Sequence, residues 1–237
     1  MPEIKIISAP SKENPFVVID KPSSLPSAPL NDEDKDNAFY QCALLFPELL
    51  SVQGKKSCEH GLLHRLDTAT RGLLVIAATD EAYQALQLSQ QTGLFEKTYT
   101  AIIDKNTPLL DAFPTFPKDW KEALEQGEEC AIESYFRTFG EKGREVRPVT
   151  ADSGKAALKK CGTKLYQTRV SIADDIATCR IVAGYRHQVR CHLSWAGYAV
   201  KGDKLYNPSS SESELQFTAS AIRFPHPLTS ESIEFSL

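Results

Sequence analysis

Asp67 is the only acidic residue in the string His64-Arg65-Leu66-Asp67-Thr68-Ala69-Thr70-Arg71, which leads into the apolar, partly β-branched run from Gly72 to Ala78. That run predicts a buried strand, so the polar residues before it form a loop at the strand's mouth. A carboxylate in that place can meet a substrate. An acid ahead of Thr68 can equally do no more than accept backbone hydrogen bonds in a turn. Charged chemistry there calls for a cation within about 4 to 6 Å, which holds an aspartate ionised. The stretch Ala183-Gly184-Tyr185-Arg186-His187-Gln188-Val189-Arg190-Cys191-His192-Leu193 supplies candidates. Val189, Leu193 and Ala196 recur at helical spacing and Gly197 is the stop, so a helix is predicted from His187 to Trp195, its arginines either functional or solvated. A tyrosine, Tyr99, lies in the alternating segment Phe95 to Ile103, a predicted strand. His187 and His192 stand five apart, not four, and Cys58 with His60 has no metal-ligand spacing, so no metal is expected.

Taken in order, these strings resemble one family. His64 to Val75 is similar to the H-R-L-D-x-x-T-S-G-L-L-V signature of the RluA-type pseudouridine synthases, with Arg71 where serine is usual. Ala183 to Leu193 resembles T-G-R-x-H-Q-I-R-x-H-L, with Tyr185 in place of an arginine and Arg186 at the variable position beside it. Lys97-Thr98-Tyr99-Thr100-Ala101 resembles K-x-Y-x-A, and Val18-Ile19-Asp20-Lys21-Pro22 an opening strand with its K-P loop. Gly197 to Tyr206 resembles G-x-P-I-x-G-D-x-x-Y with Ala199 for proline, and Phe224 to Pro227 resembles F-x-H-P. The likeness runs in order from about Phe16 to Phe235, with little to align between Thr107 and Lys164.

The resemblance implies isomerisation of uridine to pseudouridine in structured transfer or ribosomal RNA, without cofactor. Asp67 becomes the catalytic aspartate, as nucleophile or base, Arg190 its basic partner and Tyr99 the wall on which the base stacks. Arg65 enters the gap left by the extruded base; extrusion costs a few kcal/mol, which a stacking guanidinium offsets in part. Arg71, Arg186 and His187 are expected on the RNA-binding side. The implied fold is α/β (α+β): a mixed, mainly antiparallel bent sheet with flanking helices, in one catalytic domain spanning 1–237, with 107–164 a divergent excursion. Two rivals stand beside it. One is a catalytically silent RNA-binding or ribosome-assembly factor on the same fold. The other is a nucleosidase or glycosidase with a carboxylate pair, for which Glu59 is the only acid near Asp67 in sequence.

Composition bounds these readings. The 237 residues are 41% hydrophobic and 24% charged, ordinary for a chain with a sizeable core. No run approaches the ~18 apolar residues of a membrane span, and Met1 to Ser11 lacks the form of a signal peptide, so a cytoplasmic monomer is expected. Six cysteines without a C-x-x-C pair fit reduced thiols. No S4-type RNA-binding module is expected before Phe16, so target selection falls to the catalytic region. Net charge is −4, but Arg137 to Lys164 holds eight Lys or Arg against three acids, and Arg180 to Lys204 five against Asp203 alone. Such segregation permits a polyanionic partner, with Lys155, Lys159 and Lys160 as expected RNA contacts.

The remaining elements follow from pattern. Strands are predicted at Ile4–Ile7, Phe16–Asp20, Ala131–Phe139, Gln216–Phe224 and Ile233–Phe235, with a hairpin at 165–183 around Asp174-Asp175. Helices are predicted within Asp32–Leu50 and from Thr79 to Gly93. Thr107–Gly127 reads as loop, and Glu141–Lys164 as polar, mobile chain.

Overall fold

The computed structural model describes residues 2–237. First along the chain come β1 (Lys5–Ser8), β2 (Phe16–Lys21), α1 (Ala38–Leu45), β3 (Arg71–Ala77), α2 (Asp80–Gln91) and β4 (Glu96–Ile102). Then follow α3 (Lys118–Glu125), β5 (Cys130–Phe139), β6 (Glu145–Val149), α4 (Lys155–Lys160), β7 (Tyr166–Ala173) and β8 (Ile176–Ile181). The last elements are α5 (Gln188–Trp195), β9 (Phe217–Pro225) and β10 (Ser232–Ser236). Pairing is antiparallel for β1–β2, β2–β3, β9–β10, β5–β6, β5–β7 and β7–β8, and parallel for β3–β9. The architecture is therefore mixed α/β with a mainly antiparallel sheet, as predicted. The chain gathers into two compact units, one taking in the residues up to Lys97 together with Thr218–Leu237, the other Thr98–Phe217.

In the first unit β2 is buried at every position and β3 from Gly72 onward. Neither alternates, because both of their faces are covered. Their register sets Phe16 against Ala77 and Lys21 against Gly72. The core gathers Phe16, Leu73, Val75, Leu86, Phe95 and Phe224, with the Phe95 and Phe224 rings stacked at 5.1 Å. α2 starts where Thr79 accepts from the Ala82 amide at 3.2 Å, with Asp80 and Glu81 in its first turn. The helix predicted within Asp32–Leu50 is α1, which begins only at Ala38. Asn31 and Asp34 side chains accept from the amides of Glu33, Asp34 and Asp36, turns that compete with a helix until Asn37 caps α1. Gly72 has φ of +135°, and a Cβ there would lie 2.3 Å from the Ala219 carbonyl oxygen. Gly72→Ala is accordingly expected to destabilise the fold by about 2 kcal/mol, read as a shift in the denaturant midpoint.

In the second unit the sheet order runs β8, β7, β5, β6. The hairpin β7–β8 turns at Asp174-Asp175, pairing Ala173 with Ile176, with Asp174 at φ of 50°. The segment read as loop contains α3, and the segment read as mobile contains β6 and α4. α3 is held by an aromatic cluster: Trp120 meets Phe116 at 5.8 Å and Trp195 at 6.1 Å, and the Trp195 indole donates to the Pro114 carbonyl at 2.7 Å. β6 is held by Arg147, which is nearly buried. Its guanidinium donates to the carbonyls of Asp111 and Val146, pairs with Glu145 at 2.7 Å and lies 4.2 Å from the Phe139 ring centre. A buried arginine with each of its three guanidinium nitrogens engaged makes a strand out of a sequence that reads as solvated.

Candidate functional site

Asp67 lies on the loop ahead of β3, in the first unit, where the sequence places it. Two contacts pin its neighbours. The Ser27 hydroxyl both accepts from the Leu66 amide and donates to the Leu66 carbonyl, each at 2.9 Å. On the other side the Lys21 ammonium donates to the Thr68 carbonyl at 3.3 Å, as well as to Pro22 and Leu25 carbonyls at 2.8 and 2.7 Å. The Thr70 amide closes the turn onto the Asp67 carbonyl at 2.9 Å. These bonds fix the backbone from which the Asp67 carboxylate projects, the first requirement for placing a reacting group.

Lys21 is fully buried, and burial lowers its pKa to about 8 despite the opposing pull of Asp67 and Asp20. At neutral pH it stays mostly protonated, a cation beside the Asp67 carboxylate. Sequence reading missed it, since a lysine between Asp20 and Pro22 looks like surface; the K-P pair was the available signal. Below about pH 8 the folded chain carries a buried ammonium that the unfolded chain leaves in water. Between about 8 and 10.5 the folded chain has shed this proton and the unfolded chain has not, so rising pH favours folding. The stability difference between the native chain and Lys21→Met is therefore expected to grow in favour of the native chain across that window, as read by urea titrations at stepped pH.

Arg71 is tied to Asp20, its Nη2 and Nε donating at 2.8 and 3.2 Å, yet it remains 57% exposed. Arg65 is exposed, in loose contact with Glu59 at 3.4 Å, so its guanidinium is available to a ligand. Both ring nitrogens of His64 are buried without a hydrogen-bond partner, and burial with the nearby Lys97 charge holds the imidazole neutral.

In the second unit α5 presents Arg190. His187 precedes the helix in the left-handed region at φ of 57°, and its Nδ1 lies 3.2 Å from the Tyr206 hydroxyl. Gln188 accepts from the Tyr185 amide at 2.9 Å and donates to the Gln167 carbonyl at 2.9 Å, zipping the turn to β7. Arg190 is gripped at both ends of its guanidinium by Asp203, Nε to Oδ2 and Nη2 to Oδ1 each at 2.7 Å, and it faces the Tyr206 ring at 5.4 Å. Asp203 Oδ1 also accepts from the Leu205 and Tyr206 amides. Such a bidentate clamp fixes the plane of the arginine. Asp203 was read only as part of a loop beside the site; its Gly202-Asp203 motif was the signal. Tyr99 is nearly buried and its ring stacks on Phe217 at 5.0 Å with 7° between the planes. Arg186 donates to the Gly143 carbonyl and, at 3.2 Å, to the Glu145 carbonyl, spanning to the β5–β6 hairpin. Lys155, Lys159 and Lys160 stand on α4, which has no buried residue.

His192 lies buried between Ser134 Oγ at 2.9 Å and Thr168 Oγ1 at 2.8 Å, and burial lowers its pKa to about 3, so it is a neutral structural residue. Among the described residues no group of three or more His, Cys, Asp or Glu is placed to hold a metal, and no helix is long and apolar enough to cross a membrane. All six cysteines are unpaired.

The chain is 28% identical over 234 residues to "Ribosomal large subunit pseudouridine synthase D" of Zymomonas mobilis, covering 93% of this chain and 65% of that protein. It is 26% identical over 236 residues to "Dual-specificity RNA pseudouridine synthase RluA" of Pasteurella multocida, covering 93% and 88% of the two. It spans 43% of the length of two plant relatives. A solved structure, "Human RNA Pseudouridylate Synthase Domain Containing 1", superposes with a TM-score of 0.65 at 17% identity over 99% of this chain and 83% of the other, a likeness of fold. The sequence model of the RNA pseudouridylate synthases matches residues 15–195, which include Asp67, Tyr99 and Arg190, and the chain belongs to that family.

Proposed function

We propose that the chain isomerises specific uridines in structured RNA to pseudouridine, with Asp67 as the catalytic carboxylate. The observation that carries this reading is the Asp67 turn, held by Ser27 on one side and Lys21 on the other, within the span matched by the family. The reaction is redox-neutral: the bond from uracil N1 to the ribose C1′ breaks, and one from C5 to C1′ forms. The C5 hydrogen leaves as a proton and N1 gains one, so the chemistry calls for no cofactor.

Asp67 attacks, or removes a proton, as an ionised carboxylate. Arg190 serves as its electrostatic partner, Tyr99 stacks on the base, and Arg65 fills the gap that the base leaves. Both compact units act as one catalytic domain. Relatives named for ribosomal and transfer RNA support either as the substrate class. Mapping pseudouridine in total RNA from cells with and without the protein tests this: a lost site is expected, and an unchanged map would reject it.

Lys155, Lys159, Lys160 and Arg71 contact phosphates in this reading. Replacing the three lysines with glutamine is expected to weaken RNA binding and to lower the slope of log affinity against log salt by roughly two to three units, read in a salt titration. An unchanged slope would remove α4 from the RNA surface.

A further inference from the structure

We infer that Tyr185 and Tyr166 form a platform for an unpaired RNA base, separate from the extruded uridine. The inference rests on RNA being the substrate. Three rings stack in succession in the second unit: His192 on Phe136 at 5.0 Å, and Phe136 on Tyr185 at 5.0 Å with 5° between their planes. His192 and Phe136 are buried, whereas Tyr185 is only partly buried, and Tyr166, also partly buried, leans against Tyr185 at 5.1 Å and 55° and against Phe136 at 5.8 Å. Among the described residues no further ring lies beyond this pair, and neither phenol hydroxyl makes a hydrogen bond. The column thus ends at the surface on a rigid flat ring whose partners are already ordered, so a planar ligand adds to it at little conformational cost.

Charge selects the ligand. The Lys164 ammonium stands over the Tyr166 ring at 5.4 Å, and Lys155, Lys159 and Lys160 lie on α4 just ahead of it in sequence. Arg186 follows Tyr185 directly, its side chain reaching the Gly143 and Glu145 carbonyls. Aromatic faces among cations suit a base flanked by phosphates, because stacking tolerates any base while the lysines meet the backbone. Tyr185 stands where the resembled motif carries arginine.

The test uses the full chain with single-stranded RNA carrying 5-iodouridine and with the same RNA annealed to its complement. Photocrosslinks are expected at Tyr166 or Tyr185 with the single strand. Tyr185→Leu and Tyr166→Leu are each expected to weaken single-strand affinity about tenfold, whereas Tyr185→Phe and Tyr166→Phe, which keep the flat face, stay within about twofold. The inference is overturned if no crosslink maps to either tyrosine, if the leucine variants bind like the native chain, or if inorganic polyphosphate competes as well as RNA. The phenylalanine variants and the crosslink decide the matter even where a leucine variant fails to fold. A native chain that crosslinks at these tyrosines yet makes no pseudouridine would sink the proposed reaction and leave the platform standing.

Discussion

Asp67→Asn is expected to lower pseudouridine formation by at least about a thousandfold while RNA affinity stays within about threefold. Asparagine keeps the size of the side chain and its ability to accept a hydrogen bond, so the turn between Ser27 and Lys21 should persist. It cannot attack carbon as an anion, nor take a proton. Lys21, buried beside Asp67, retains its three carbonyl partners in the variant, which protects the fold. The measurement is single-turnover conversion with RNA binding followed in parallel. A variant that still converts RNA at a tenth of the native rate would remove Asp67 from the chemistry. The silent-factor reading makes the opposite forecast, since it requires the variant to keep all biological function.

The second large effect concerns Arg190 and Asp203. Their side chains are 7% and 0% exposed, and two 2.7 Å hydrogen bonds join them. Removing one charge from such a buried, doubly hydrogen-bonded pair costs roughly 3 to 5 kcal/mol. Asp203→Asn should therefore lower the unfolding temperature by about 10 °C or more and, by releasing the plane of Arg190, depress turnover as well. The two losses are separable. Replacing both residues, Arg190→Met with Asp203→Leu, removes both buried charges and should recover part of the stability, the Leu205 and Tyr206 amides still lacking their acceptor, while leaving the protein inactive. Recovery of activity in that double variant would show that Arg190 serves only the fold, and native-like melting of Asp203→Asn would show that the pair carries little stability.

Much of this arrangement can be read from residue patterns alone. The uninterrupted apolar runs of β2 and β3 announce strands covered on both faces, and Asp174-Asp175 announces its hairpin. The polar string before Gly72 places Asp67 on a loop because a strand must begin where the apolar residues do. Other features are invisible for a common reason: they depend on charged groups buried against partners distant in sequence. Lys21 looks like surface until three carbonyls surround its ammonium. Arg147 looks solvated until Glu145 and the Asp111 carbonyl, 36 positions away, take up its donors. β6 disappears from a pattern reading for that reason. α3 is a different failure: Trp120 and Leu124 stand one helical turn apart, and Lys118–Glu122 and Lys121–Glu125 form i, i+4 pairs, but flanking prolines outweigh them.

The reaction itself offers the most direct measurement. Joining C5 of uracil to the ribose expels the C5 hydrogen, so RNA labelled with tritium at C5 of uridine should release tritium to water on incubation with the purified chain. No free uracil should appear, and Asp67→Asn should release none of the label. Release of free uracil, or label retained in RNA that the chain demonstrably binds, would contradict the account.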